Sequence, residues 1–243
     1  MNLSLIGQAA AAEVEKAPDL FGDLAPPLQI AILLGALSFA TAALVSVTAF
    51  TRIIIVLSFV RRALSTQEIP PNPVLLGLSM FLTMFVMAPT FEAIHENAIV
   101  PLMEAREAAE ESDSEPTFGF REAWDVTTWE LKQFMMVNTR TDDLELFFDL
   151  SKTEPPNERY DTPLKIMVPA FIVSELKTAF IMGFCIYIPF LLIDLVVSTI
   201  LMALGMMMMP PVVVSTPCKL LLFVLVDGWQ LIARALVSSF AGV

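Results

Sequence analysis

Residues 28–50 read LQIAILLGALSFATAALVSVTAF, with no charged side chain anywhere in the run. At 1.5 Å per residue a helix of that length reaches about 34 Å, enough to cross a hydrocarbon core of about 30 Å. Three further apolar segments follow. A short one, 53–60, lies between Thr51-Arg52 and Arg61-Arg62; a second spans Val74 to Phe91; and the residues from Leu164 to Phe240 are apolar almost throughout. The stretch Leu164 to Met209 is too long for one membrane span and is read as two, with Pro169 and Pro189 marking kinks. Pro70-Pro71-Asn72-Pro73 and Pro210-Pro211 are the strong helix breaks. The expected architecture is all-α, with four to six long apolar helices forming membrane-associated bent hairpins around one small polar helical insert.

Composition agrees. Of 243 residues 56% are hydrophobic and only 16% charged, and the mean hydropathy is +0.71; a soluble domain has about 25% charged residues. The net charge of −12 comes from one place: residues 92–161 hold 18 acids and 6 bases, while the rest of the chain balances at 8 and 8. This acidic insert repels nucleic acid and anionic lipid, so neither is expected as its partner. The organisation reads as an N-terminal segment 1–27, a first apolar hairpin region 28–91, the insert 92–163 and a second apolar hairpin region 164–243. Within the insert, residues 119–136 and 141–151 read as amphipathic helices, the second capped by Thr141 with Asp142, Asp143 and Glu145 in its first turn. The charge-rich stretch Glu104 to Pro116 reads as its loosest part.

Arg52, Arg61 and Arg62 make the first connection basic, which places it in the cytoplasm and the acidic insert on the opposite, periplasmic side. The N-terminus then also lies outside. Residues 1–12 end in an Ala-rich stretch but lack a positive n-region, as an atypical or already trimmed signal would.

Enzyme chemistry has no foothold. There is no phosphate-binding Gly loop and no Ser elbow, and the lone His95, read as a surface residue, removes most general-base schemes. No metal or cofactor is expected. Cys185 and Cys218 fit neither a metal site nor a redox pair and read as small buried hydrophobes.

Two features remain as candidate functional residues. The first is Gly205-Met206-Met207-Met208-Met209-Pro210-Pro211, a loop between two apolar segments. The second is the set of charges in apolar context: Arg52, Glu175, Lys177, Asp194, Lys219 and Asp227. An ionisable group at a bilayer centre costs about 2.5–3.5 kcal/mol on insertion scales, so each should be paired or face a polar cavity. Glu175 and Lys177 stand two apart on a helix and must find partners on other helices; Lys219 is paired with Glu175 or Asp194 in this reading. Structural ion pairs that fix assembly register are preferred here to a proton relay.

Several blocks together resemble the flagellar export-gate family FliP. They are Phe50-Thr-Arg-Ile-Ile-Ile-Val-Leu57 followed by Pro70-Pro71-Asn72; Pro169-Ala-Phe-Ile-Val-Ser-Glu-Leu-Lys-Thr-Ala-Phe180; Ile188-Pro-Phe-Leu-Leu-Ile-Asp-Leu195 with Leu201-Met-Ala-Leu-Gly-Met-Met-Met-Met-Pro-Pro211; and Lys219-Leu-Leu-Leu-Phe-Val-Leu-Val-Asp-Gly-Trp-Gln230. The resemblance implies a subunit of a type III protein export gate in the bacterial inner membrane, at the flagellar basal body. Five copies would assemble with FliQ- and FliR-like subunits into a conduit for unfolded flagellar export substrates. It also implies that much of the apolar surface packs on neighbouring subunits, and that Met206, Met207, Met208 and Met209 form a gasket in the central channel. Methionine suits that task, being apolar, unbranched and deformable. The rival reading is a stand-alone ion- or proton-coupled secondary transporter, which broken helices and intramembrane charges would also fit. A membrane receptor sensing through the acidic insert has less support, because the insert is small and carries no pocket motif.

Overall fold

Helices begin at the doubled prolines Pro70-Pro71 and Pro210-Pro211, and several run further than hydropathy alone suggests. The computed structural model describes residues 26–65, 70–112, 117–156, 158–206 and 209–240. Among these every regular element is a helix: α1 (Pro26–Val47), α2 (Phe50–Ala63), α3 (Asn72–Ile94), a π-helical turn (His95–Ile99), α4 (Val100–Ser112), α5 (Phe120–Asn138), α6 (Thr141–Ser151), a 3-10 turn (Arg159–Asp161), α7 (Leu164–Ala203), α8 (Pro211–Leu225) and α9 (Gly228–Ser238). The chain forms two units, Met1–Ala43 and Leu44–Val243. Of the first unit the described residues are 26–43, which form most of α1; Leu33, Leu37 and Phe39 on it are exposed.

In the second unit Pro71, in extended conformation, caps α3, and Pro73 occupies its first turn, where a missing N–H costs nothing. The helix does not stop where the sequence turns acidic at Glu92. It passes through the π-turn and continues to Ser112, because Glu, Ala and Arg are strong helix formers and polarity alone does not end a helix. Residues 104–112, read from charge as loose, are therefore helical, and 113–116 lie outside the described residues. The two amphipathic helices of the insert appear as α5 and α6; Arg140, not Thr141, holds the cap position of α6.

The largest departure is α7. The stretch read as two spans is one helix of 40 residues, about 60 Å long, carried through both Pro169 and Pro189. In an apolar helix the backbone groups freed by proline are re-satisfied by neighbours and local adjustment, so proline bends rather than breaks it. Among the described residues three helices are long and apolar enough to cross a membrane: Pro27–Val47, Asn72–Ala109 and Leu164–Ala203. The pair α8 and α9, bent by 65° at Asp227, passes the same test when taken together.

α7 is the spine. Its N-terminal part, through Ile166, Met167 and Phe171, packs on Met135 and Met136 of α5 and Leu144 and Phe148 of α6. α2 turns the stripe Ile53, Val56, Leu57 and Val60, at helical spacing, into a second core shared with α3, α7, α8 and α9. Where α2 crosses α7, the Phe59 ring occupies the space a side chain at Gly183 would need; a Cβ there would lie 2.5 Å from Cδ2 of Phe59. The buried hydroxyls of Ser79 and Thr83 donate to carbonyls four residues back, so α3 satisfies its own polar groups. Both cysteines are exposed and free, contrary to the buried positions expected; Cys185 on α7 and Cys218 on α8 point outward from an apolar surface, which hydropathy cannot separate from a core.

Candidate functional site

The charges scattered through the apolar segments are brought together in pairs by the way α2, α6 and α8 pack on α7. Arg52, 2% exposed, lies on the buried face of α2 opposite Glu175 of α7, which is fully buried. The guanidinium takes the carboxylate in a two-pronged grip: Nε donates to Oε2 at 2.8 Å and Nη2 to Oε1. Its remaining nitrogen, Nη1, donates to the backbone carbonyl of Ser239 at 2.7 Å and to that residue's Oγ at 3.0 Å. The guanidinium also lies 3.8 Å from the centre of the Phe240 ring. Planar, five-donor Arg fits this arrangement, and Lys could not reproduce it.

Lys219 of α8, 1% exposed, donates from Nζ to Asp194 Oδ2 and to Ser65 Oγ, both at 2.6 Å. Ser65 ends α2 in left-handed conformation with φ 56°, so the ammonium secures a backbone position that a non-glycine residue rarely adopts. Of the two partners open to Lys219 in the sequence, Asp194 is the one found. Asp194 Oδ1 and Ser215 Oγ are shielded from solvent and take no hydrogen-bond partner from the described residues.

Glu175 and Lys177 diverge as their spacing requires. Lys177 faces the insert, with Nζ 3.9 Å from Asp143 Oδ1 at the start of α6. Arg140 ties the same junction: its backbone N–H donates to Ser174 Oγ at 3.0 Å and its Nη2 to Thr178 Oγ1 at 3.3 Å. Asp227 joins none of these pairs. It is exposed, with φ 50°, and forms the corner between α8 and α9. Ser65, Asp143, Ser239 and Phe240 are partners the sequence did not single out. Asp143 carried a signal only as a first-turn acid, and the other three carried none.

The methionine loop begins with a defined stop. Gly205, at φ 74°, follows the end of α7; its N–H donates to Met202 O at 3.1 Å and the Met206 N–H to Leu201 O at 3.0 Å. These are the two crossing bonds of a Schellman motif, which needs a left-handed residue at the position Gly205 holds. On the other side Pro210 is extended and Pro211 opens α8. Met206 and Met209 are 47% and 42% exposed, so the side chains next to both anchors face away from the helices. Met207 and Met208 lie outside the described residues. Among the described residues no group of His, Cys, Asp and Glu side chains is placed to hold a metal ion.

The class these features define is an all-helical membrane protein whose buried charges pair across helices and whose longest described helix, α7, ends at a methionine-rich stretch. The chain belongs to the FliP family, whose model matches residues 33–236. Flagellar biosynthetic protein FliP of Bacillus subtilis (strain 168) is 50% identical over 213 residues, which cover 88% of this chain and 91% of that protein. The protein of the same name from Caulobacter vibrioides is 46% identical over 213 residues, 88% of this chain and 76% of its own. That from Buchnera aphidicola subsp. Acyrthosiphon pisum is 49% identical over 214 residues, with 88% of this chain matched to 54% of a longer protein.

Proposed function

We propose that this chain is a pore-forming subunit of the flagellar type III export gate, conducting unfolded export substrates across the inner membrane and sealed by its methionine loop. The observation that carries this reading is the hairpin tip. Gly205 and Pro210-Pro211 anchor the loop at both ends, and the methionines beside those anchors are exposed. A ring of such loops, one from each of five copies, would dewet a constriction and still deform around a passing chain. The apolar side chains Phe81, Phe85, Phe184, Leu195 and Val224, all more than half exposed, are surface for lipid, for further copies, and for FliQ- and FliR-like companions. In this reading the chain resides in the flagellar basal body, with the basic α2 end cytoplasmic and the acidic insert periplasmic. It acts on its substrates without enzymatic chemistry. The ion pairs Arg52–Glu175, Lys219–Asp194 and Lys177–Asp143 set the packing that assembly requires, and Asp227 sets the corner.

The test is native mass spectrometry of the tagged chain after co-expression with FliQ- and FliR-like subunits and extraction in mild detergent. Several copies with both companions is the expected result. A monomer or dimer ignoring both would overturn it in favour of a solitary ion- or proton-coupled transporter. For the seal itself, deleting Met206–Met209 should leave the complex assembled and make cells leaky to small ions. Unchanged permeability in an assembled deletion would count against the gasket.

A further inference from the structure

α2 carries three arginines, and the fold spends them differently. Arg52 is consumed by Glu175 and Ser239. Arg61 donates to Asn72 Oδ1 at the start of α3. Arg62 is exposed and takes part in no ion pair among the described residues; its Nε reaches only the Ser58 carbonyl of its own helix, at 3.4 Å. Its guanidinium carbon lies 4.9 Å from the centre of the Phe59 ring. That position is the mouth of a groove of about 300 Å³ between α2 and α7, lined by Ile54, Ile55, Ser58, Phe59, Leu176 and Phe180 with Arg62 itself.

The groove has the chemistry of a single amphiphile. Its walls are apolar, and the one polar side chain in them, Ser58, already donates to the Ile54 carbonyl at 2.7 Å. The wall therefore offers no hydrogen-bond pattern for reading a peptide. One cation stands at one end. From Ile54 to Arg62 the helix rises about 12 Å, so an acyl chain lying along the seam has its charged end brought to the guanidinium. The α7 wall belongs to the Leu164–Ala203 candidate span, which brings the groove within reach of lipid chains wherever that span crosses a membrane. We propose that this groove is a binding site for one anionic phospholipid, its phosphate held by Arg62 and an acyl chain against Ile54, Ile55, Leu176 and Phe180. A guanidinium takes a phosphate through two parallel N–H donors, and both Nη atoms are open for it. The site needs only that the chain resides in a membrane, so it stands or falls independently of the export-gate reading.

The experiment uses the chain purified with whatever subunits co-purify, in mild detergent, titrated with phosphatidylglycerol or phosphatidylcholine and read by native mass spectrometry. The wild type should retain phosphatidylglycerol at least tenfold better than phosphatidylcholine. Arg62→Gln should abolish that preference, and Arg62→Lys should restore part of it. Ile55→Ser, which spoils the groove and leaves the cation, should lower retention of both lipids. Equal retention of the two lipids by the wild type, or an unchanged preference in Arg62→Gln, overturns the site. So does an Arg62→Gln variant that keeps its lipid and loses a co-purifying subunit, since Arg62 would then be a protein contact.

Discussion

The guanidinium of Arg52 lies 3.8 Å from the centre of the Phe240 ring, and that ring stacks on Phe134 at 6.2 Å. One arginine near the start of the second unit thereby holds the last described turn of the chain. It does so while Nε and Nη2 hold Glu175, so α2, α7 and the segment after α9 meet at this side chain, and α5 joins through the Phe240 ring.

Removing one member of this buried pair should be severe. Breaking such a pair from one side costs about 3–5 kcal/mol, because the remaining charge stays buried without a partner. Arg52→Ala is expected to leave little folded subunit, measured as protease-resistant material in membranes. Arg52→Lys should recover only part of it, because one ammonium cannot serve both carboxylate oxygens and Ser239. Full recovery with lysine would refute the two-pronged account.

Phe240→Ala should lower the thermal midpoint of the extracted protein, with a cost in the range of about 3–5 kcal/mol for truncating a buried phenylalanine. Phe240→Leu keeps most of the apolar volume and loses the cation–π contact, worth about 2 kcal/mol where desolvated. It should therefore fall between the two. A leucine variant as stable as the wild type would show that the ring face contributes nothing beyond its bulk.

Lys219→Glu sets a second carboxylate against Asp194 at a position where the Lys219 side chain is buried. Assembly with companion subunits, followed by co-purification, should fail before any transport step is affected. A complex that forms normally while export alone is lost would replace the structural role of this pair with a proton relay.

At Gly183 an added methyl group would lie 2.5 Å from the Phe59 ring. Gly183→Ala should cost about 1–3 kcal/mol as an overpacked contact. Combining it with Phe59→Leu should return a large part of that loss, read as a coupling energy in a double-mutant cycle. Additive effects would mean that α2 and α7 adjust elsewhere.

Gly205→Ala forces a side chain into the left-handed region and should destabilise the end of α7 by about 1–2 kcal/mol. Gly205→Asn, which tolerates that region better, should be milder. The ion-leak assay applied to both variants would show whether a displaced hairpin tip opens the same path as deleting the methionines.

Most of the helical plan was legible because its signals are local. Apolar length gave α1 and α3, amphipathic spacing gave α5 and α6, and doubled prolines gave the starts of α3 and α8. The length of α7 was not legible, since Pro169 and Pro189 carry the same breaking signal whether or not surrounding helices absorb them. The charges in apolar segments could be picked out because they are costly where they stand, and the divergence of Glu175 and Lys177 followed from helical spacing. Their partners were harder. Lys219 had two carboxylates open to it by that reasoning, and only the packing of α8 on α7 chooses Asp194. Ser239 and Phe240 look like an ordinary helix end in sequence; their part in the Arg52 site depends on a return of the chain over nearly its whole length. The exposed cysteines illustrate the remaining gap, because an outward face toward lipid or another subunit has the same composition as a core.

The unbroken course of α7 also works as a ruler. From Glu175 to Asp194 the helix climbs about 28 Å, close to the depth of a hydrocarbon core of about 30 Å. The Arg52–Glu175 and Lys219–Asp194 pairs are thus spaced about one hydrocarbon thickness apart along a single rod. Between them Lys177 is the one further charge on the rod, and it turns away to Asp143 of the insert. About a quarter of the rod precedes Glu175, and it is the part on which α5 and α6 pack. Had Pro189 cut α7 in two, that fixed interval between the charges would have been lost.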